Sequence, residues 1–212
     1  MAPRAAKTPV PAKVDLKRDR KAQYSARAGK LTLVTVGATR MLAIDGRGHP
    51  MEGTGYADAI GALYGVAYGL KFARKRAKQL PDFAMMPLEC LWWVAGGKPM
   101  TAKTKLKDWR WTLLMAVPGF ITAKALTAMQ HQVAEGTPLA AKIELRTLNE
   151  GKCGQMLHVG PYEKLGEGYA ALFAAVKEQG LKLRGLHHEI YLNDPSRAAP
   201  AKLRTILRYP VA

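Results

Sequence analysis

The stretch "KIELRTLNEGKCGQMLHVGPY", from Lys142 to Tyr162, shows the pattern of secondary structure on which the fold prediction rests. Two β-prone runs, 142–148 and 153–159, flank the turn-forming segment Asn149-Glu150-Gly151-Lys152. Pro161 is favoured in the first turn of a helix, and the helical pattern that follows it continues to about Gln179, where Gly180 ends it. The stretch therefore predicts the order strand, strand, helix.

Two further strand-like runs, "HHEIYL" and "KLRTILRYPV", complete this unit, and the first half of the chain repeats its order. There, "LTLVTV" and "RMLAID" precede a helical stretch from Tyr56 to Lys78, and "LECLWWVA" and "WRWTLLMAV" follow it. A helical segment near Thr122–Glu135 joins the halves. We predict an α+β fold with a tandem duplicated unit, as pseudo-repeats at about 31–118 and 140–212, and a cleft between the two main helices.

Composition and charge narrow the class of protein. The chain has 212 residues, 48% of them apolar, and a net charge of +17. No apolar run is long enough for a membrane span, and no secretory signal is recognisable, so we expect a cytoplasmic protein without membrane contact. Residues 1–13 read as a disordered basic tail before a domain at 14–212, and the tail is expected to attract DNA only weakly and nonspecifically. The sequence leaves monomer and homodimer open.

Glutamates in the middle of β-prone runs are the most unusual feature. Alternation along a strand places His187, Glu189 and Tyr191 on one face and His188 on the other. The repeat makes Glu89 the counterpart of Glu189, on a facing central strand. A carboxyl group in an apolar wall has a raised pKa unless a partner compensates for its burial. A buried salt bridge and a catalytic or binding acid both fit this pattern.

Aromatic residues cluster near these glutamates. Tyr64 and Tyr68 lie one helical turn apart, and Trp109 and Trp111 share a strand face. A row of glycines on the first helix, Gly61, Gly65 and Gly69, indicates that something approaches that helix closely; the sheet, a partner subunit and a flat ligand are the alternatives, with the sheet favoured. Two potential ligands, His187 and Glu189, do not make a metal site, and we expect no metal and no cofactor.

The segments "MLAIDGRGHP", "PLECLWW", "LHVGPY", "HHEIYLNDP" and "KLRTILR" together resemble the GyrI-like small-molecule-binding family, and more narrowly its stand-alone bacterial branch. The resemblance runs from about Val14 to Val211. It implies one curved antiparallel sheet with a ligand cleft between two helices, and a planar aromatic small molecule as partner. Two departures bear on the cleft: Cys90 stands where the family usually has glycine, and Gly119 where an acidic residue often follows the proline.

The resemblance also implies an activity. The stand-alone branch is associated with hydrolysis of the cyclopropane in DNA-alkylating antibiotics of the duocarmycin–yatakemycin class, which protects the cell. On this basis Glu189 is the predicted base that activates water, and Tyr64 or Tyr68 the predicted donor to the developing oxyanion. The alternative is a drug-sequestering protein without catalysis. The predicted substrate-binding residues are Glu89, Trp93, Trp109, Trp111, Tyr169, Phe173, His187 and Tyr191.

Overall fold

The computed structural model of the protein describes residues 12–50, 53, 55–77, 80–97 and 104–212. Its helices are α1 (Leu16–Asp19), α2 (Tyr56–Arg76), α3 (Ala123–Ala134) and α4 (Leu165–Glu178). Its strands are β1 (Thr32–Val36), β2 (Thr39–Arg47), β3 (Leu88–Val94), β4 (Trp109–Ala116), β5 (Glu144–Leu148), β6 (Gly151–Val159), β7 (His187–Tyr191) and β8 (Arg204–Pro210). Short 3-10 turns include Lys21–Tyr24 and Tyr162–Lys164.

These elements confirm the predicted α+β class and the order of strands and helices along the chain. The joining segment near Thr122–Glu135 is a full helix, α3, so the fold has three main helices where two were expected. The tail predicted at 1–13 lies almost wholly outside the described residues. Within the described ranges, no helix has the length and apolar character needed to cross a membrane.

All eight strands form one antiparallel sheet in the order β1-β6-β8-β7-β3-β4-β2-β5. If each strand of the first half is exchanged with its counterpart in the second half (β1 with β5, β2 with β6, β3 with β7 and β4 with β8), the same strand order results, read from the opposite edge of the sheet. The β3–β7 pair therefore stands at the centre of a symmetric arrangement. Duplication of a four-strand unit would give this symmetry, and we propose on that ground the repeat boundaries 31–118 and 140–212.

Two short connections make the sheet curl. β1 is the first strand of the order and β2 the seventh of eight, yet only Gly37 and Ala38 connect them. Three steps along the backbone span at most about 11 Å. Asn149 and Glu150 connect β5 to β6 in the same way. Both ends of the sheet must therefore approach each other, and the sheet forms a half-barrel.

The helices divide one face of the sheet between them. Of the strands in the described ranges, α2 packs mainly on β2 and β4, and α4 mainly on β6 and β8. Apolar side chains drive both contacts: Leu63 and Val66 of α2 are fully buried, as is Leu172 of α4. The central strands β3 and β7 consequently lie between the two helices, where side chains rather than a helix cover the sheet.

The glycine row of α2 packs against α3, which differs from the favoured prediction of packing onto the sheet. A Cβ atom added at Gly69 would collide with the Met129 side chain, and one added at Gly65 would lie 3.1 Å from Val133 Cγ1. Gly61, at the start of the row, has open space around it. The two later glycines thus allow close contact between helices.

A buried ionic network lies on the opposite face of the sheet, away from α2 and α4. His188 lies between two carboxylates, with Nε2 3.0 Å from Glu89 Oε2 and Nδ1 3.0 Å from Glu150. Arg208 completes it, 3.3 Å from Glu150 Oε2. The carboxylate neighbours raise the pKa of His188 to about 9 against the opposing effect of its burial, and the positive charges lower the pKa of Glu150 to about 2. Tyr24 donates to Glu89 at 3.0 Å, which attaches the N-terminal segment to this network.

Candidate functional site

Glu189 lies at the centre of the sheet, on the face that α2 and α4 share. On β7 it pairs with Cys90 of β3 on one side and with Leu207 of β8 on the other. Its side chain is buried, with only 8% of the residue exposed. Tyr191, two residues further along the same strand and therefore on the same face, donates a hydrogen bond from Oη to Glu189 Oε2 at 2.7 Å.

Burial sets the acidity of this carboxyl group. Removal from water raises the pKa of Glu189 to about 7, against the opposing effects of Tyr191, Trp92 and His188. Trp92 Nε1 lies close enough to influence the carboxyl group but does not meet the geometry of a hydrogen bond. Glu189 is consequently divided between its neutral and ionised forms near neutral pH, which is the condition under which a carboxylate acts well as a general base.

One wall of the site consists of aromatic rings from β3, β4 and the start of α2. Trp92 and Trp111 are paired across β3 and β4. The ring of Tyr56 stacks on Trp92, with ring centroids 5.6 Å apart, and meets Trp111 edge-on, with centroids 5.0 Å apart. Trp109 contacts Trp92 edge-on at 5.6 Å. Gly46 makes room for Trp111, because a Cβ atom there would collide with the indole ring.

The opposite wall comes from α4 and the second half of the sheet. The rings of Tyr169 and His187 are in contact, with centroids 4.4 Å apart, and Phe173 meets the His187 ring edge-on, with centroids 5.7 Å apart. Tyr209 of β8 closes this group, 5.1 Å from His187. Tyr162, from the turn before α4, packs edge-on against Tyr191 at 5.7 Å. Glu189 is therefore enclosed between two aromatic groups.

The groups around Glu189 are uncharged at neutral pH. Burial lowers the pKa of His187 to about 4, so its imidazole is neutral. Burial, followed by the negative charge of Glu189, raises the pKa of the Tyr169, Tyr162 and Tyr191 phenols. The site thus offers the Glu189 carboxyl group and the neutral His187 imidazole as proton acceptors, among neutral hydrogen-bond donors and flat ring surfaces. Over the ranges that the structure covers, no cluster of His, Cys, Asp or Glu could hold a metal ion.

Comparisons with known proteins place this arrangement in a family. The model of the GyrI-like small molecule binding domain matches residues 116–212. An uncharacterized conserved protein from Listeria innocua is 32% identical; the match covers 94% of this chain and 100% of that one, with a TM-score of 0.84. The chain belongs to the GyrI-like small-molecule-binding domain family.

Two other comparisons define how far the likeness extends. A hydrolase encoded by lin2189 from Listeria innocua is 32% identical to this GyrI-like chain, with a TM-score of 0.81 and coverage of 94% of this chain and 100% of that one. The C-terminal domain of EcmrR is only 14% identical, with a TM-score of 0.54 over 86% of this chain and 97% of that domain, so it shares the fold alone. Among curated proteins, no relative matches.

The GyrI-like sheet brings most of the predicted site residues to one face. Seven of the predicted residues lie there: Glu189, His187, Tyr191, Trp109, Trp111, Tyr169 and Phe173. Glu89 and Trp93 do not. Glu89 pairs with Ile190 and Leu114, which places it on the opposite face, in the ionic network with His188. Trp93 follows Glu89 on that face by alternation. The prediction that Glu89 faces Glu189 across a cleft is therefore corrected by the register.

Tyr64 is partly buried on α2 and packs against the core, whereas Tyr68, one helical turn further, is exposed. Their rings stack at 6.2 Å, and Tyr68, 42% exposed, also stacks on Phe72 at 5.9 Å. The pKa of Tyr64 is raised by its burial and then by Tyr68 and Asp194. The phenols that respond to the charge of Glu189 are those of Tyr56, Tyr162, Tyr169 and Tyr191. The catalytic role of Tyr64 or Tyr68 stays a prediction.

Three residues that the structure places near Glu189 were not among those predicted: Trp92, Tyr56 and Cys90. The sequence could have indicated Trp92 and Cys90, because alternate residues of a strand face opposite sides of the sheet. The prediction took the side that carries Glu89 and Trp93 instead of the side that carries Cys90 and Trp92. Only the pairing of Cys90 with Glu189 decides between the two sets. Tyr56 carried no signal of its own, since its position depends on how α2 begins above the sheet.

Proposed function

We propose that this protein binds flat aromatic small molecules beside Glu189 and hydrolyses the cyclopropane ring of DNA-alkylating antibiotics of the duocarmycin–yatakemycin class. Such an activity would protect a cell from these compounds. The observation that carries the proposal is the position of Glu189: one carboxyl group, with a pKa of about 7, enclosed by aromatic rings and held by Tyr191. The likeness to a Listeria protein described as a hydrolase supports a hydrolytic reaction.

The proposed step adds one water molecule. The Glu189 carboxylate takes a proton from water while the water oxygen forms a bond to the methylene carbon of the spirocyclopropane. The adjacent ring carbon–carbon bond breaks, and its electron pair moves into the conjugated dienone, which becomes a phenolate. The phenolate then takes up a proton, so the product is a phenol that carries the elements of water. Proton transfer by a positioned base contributes about 10²–10⁴-fold to such a rate.

The aromatic walls supply the other requirements of this reaction. Tyr56, Trp92 and Trp111 offer ring faces and edges for a flat substrate, which orients the electrophilic carbon relative to Glu189. A neutral phenol is suited to stabilise the oxygen on which negative charge develops. Tyr191 already donates to Glu189, so another tyrosine must serve. Tyr64 and Tyr68 remain candidates, and so does Tyr169, one of the phenols whose pKa the charge of Glu189 raises.

A second candidate is a protein that binds planar cations without reacting with them. Glu189 would supply the negative charge, and the tryptophan rings beside it would supply cation–π contact. Nothing in this second function requires the pKa of Glu189 to lie near 7, whereas catalysis by a general base benefits from it.

Mass spectrometry separates these functions. The purified protein is incubated with a duocarmycin-class spirocyclopropane, and the products are compared with those formed in buffer alone. We expect an adduct with one water to accumulate at a rate proportional to protein concentration. The rate should rise with pH through about 7 and then level off, because the base form of Glu189 is required. Recovery of the unreacted compound in complex with the protein would support the non-catalytic binder instead.

A further inference from the structure

Five buried polar side-chain atoms make no hydrogen bond to any described residue. They are Trp92 Nε1, Trp109 Nε1, Trp111 Nε1, Tyr169 Oη and Thr205 Oγ1. In folded proteins more than about 90% of buried polar groups have a partner, so each exception needs an explanation. Leaving such a group unsatisfied costs about 1–3 kcal/mol.

All five atoms belong to residues on the face that carries Glu189. Trp92 and Trp111 pair with each other across β3 and β4, and Trp109 contacts Trp92. Thr205 pairs with Tyr191, the residue that donates to Glu189. Tyr169 approaches the same place from α4, where its ring lies against His187. The unsatisfied atoms are therefore concentrated around the candidate site.

The chemistry of these atoms is uniform. An indole N–H can only donate a hydrogen bond, and the two hydroxyl groups can each donate one. Trp92, Trp111, Tyr169 and Thr205 are each at most 7% exposed, so water reaches them poorly. The three indole groups can be satisfied only by a hydrogen-bond acceptor, and the two hydroxyl groups can also accept, so an acceptor is the one kind of partner that suits all five.

We propose, building on the small-molecule binding proposed above, that the site selects flat aromatic ligands bearing acceptor oxygens, such as ring carbonyls, over planar hydrocarbon cations. A carbonyl oxygen accepts hydrogen bonds from indole N–H and hydroxyl groups, while its ring system packs between the aromatic walls. A hydrocarbon cation pairs with Glu189 but brings no acceptor, so the four donors other than Trp92, which lies beside the Glu189 carboxyl group, keep no partner. Each neutral hydrogen bond gained contributes about 1 kcal/mol, which is about fivefold in affinity.

Two unreactive tricyclic probes test this selectivity. Acridone is neutral and carries a ring carbonyl, whereas 10-methylacridinium has the same ring system with a permanent positive charge and no acceptor oxygen. Their dissociation constants are measured by calorimetry at about pH 8, where ionised Glu189 gives the cation its best opportunity. We expect acridone to bind about 25-fold more tightly, as two added hydrogen bonds of about fivefold each would give.

Hydroxyl deletions identify the donors. Tyr169→Phe and Thr205→Val keep the shape of each side chain and remove only its unsatisfied oxygen. At least one of them should weaken acridone binding about fivefold, leave methylacridinium binding unchanged and leave thermal stability equal or higher. A merely structural hydroxyl would instead lower stability and affect both ligands alike. Thr112→Val is the matched control and should leave both dissociation constants unchanged, because Thr112 lies on the opposite face of the sheet, where its hydroxyl donates to Asp45 Oδ1 at 2.6 Å.

The outcomes separate this inference from the proposed function. If methylacridinium binds as tightly as acridone or more tightly, the acceptor selectivity is wrong while small-molecule binding stands. If both probes bind but neither deletion weakens acridone, these hydroxyl groups do not select the ligand and the inference fails. If neither probe binds, binding of flat aromatic molecules at this site fails, and the inference fails with it.

Discussion

Replacing Glu189 by glutamine should stabilise the free protein at alkaline pH and leave its stability nearly unchanged at acidic pH. Glutamine has the shape of the protonated acid, and its carbonyl oxygen can still accept the hydrogen bond that Tyr191 donates. What the substitution removes is the ability to ionise inside an aromatic wall. The difference between the two proteins should therefore depend on pH rather than on packing.

The magnitude follows from the acidity of the carboxyl group. The pKa of Glu189 is about 7 in the folded protein, against an ordinary value of 4.5. A carboxyl group whose pKa is raised on folding contributes stability below its unfolded pKa and loses it as the pH rises through the folded pKa. The full difference corresponds to about 3 kcal/mol in the free energy of unfolding. Because the residue is only 8% exposed, screening by solvent reduces this value little.

Thermal unfolding at a series of pH values measures the effect. For a chain of this size, about 3 kcal/mol corresponds to a Tm difference of roughly 6–12 °C. The Tm of Glu189→Gln should equal that of the wild type near about pH 4 and exceed it by that amount near about pH 9. Glu178→Gln, at the exposed end of α4, is the control and should show no such divergence. A difference between Glu189→Gln and wild type that stays constant across this range would refute the account of Glu189.

Three further predictions concern the surroundings of the site. His188→Gln should lower the free energy of unfolding by about 3–5 kcal/mol in urea titrations at neutral pH, because it leaves buried Glu89 without its cation and Glu150 with Arg208 alone; a loss below 1 kcal/mol, at about the level of a surface ion pair, would contradict the network. Gly46→Ala should destabilise the protein in the same titrations, because the added methyl group displaces Trp111. Gly61→Ala, in open space on a helix, should stabilise it by about 1 kcal/mol. Equal changes in the free energy of unfolding for the two variants would contradict the close packing of Trp111 on Gly46. Tyr191→Phe removes the hydrogen bond that stabilises the ionised carboxyl group, so the pH at which turnover reaches half its maximum should rise; an unchanged pH profile would show that this hydrogen bond does not tune the base.

The sequence predicted the elements of the fold because each has a local signature. The apolar periodicity and the glycine and proline stops give the helices and strands within a few residues, and the segment between the halves became α3. The curl of the sheet carries no local signal. It follows from two short connections whose effect is visible only once β1 pairs with β6 and β5 with β2.

The residues that share a face with Glu189 could be predicted within one strand, but not where the pairing of two strands decides which residues meet. Alternation correctly grouped His187, Glu189 and Tyr191, and correctly placed His188 on the other face. On β3 the same alternation does not tell which residues share the face of Glu189. Matching Glu89 to Glu189 assigned Glu89 and Trp93 to that face, whereas the register places Cys90 and Trp92 there. The pairing of Cys90 with Glu189 is a long-range contact, so the identity of the Trp92 wall could not be read from β3 alone.

The most direct test of the proposed function is the turnover of a duocarmycin-class spirocyclopropane by the wild-type protein and by Glu189→Gln, followed by mass spectrometry. We predict that the wild type forms the water adduct and that Glu189→Gln forms it about 10²–10⁴-fold more slowly. The variant should still bind the compound, because the aromatic walls remain. Turnover by Glu189→Gln at the wild-type rate would contradict the role of Glu189 as the base, and absence of the adduct with the wild type would contradict the hydrolytic function itself.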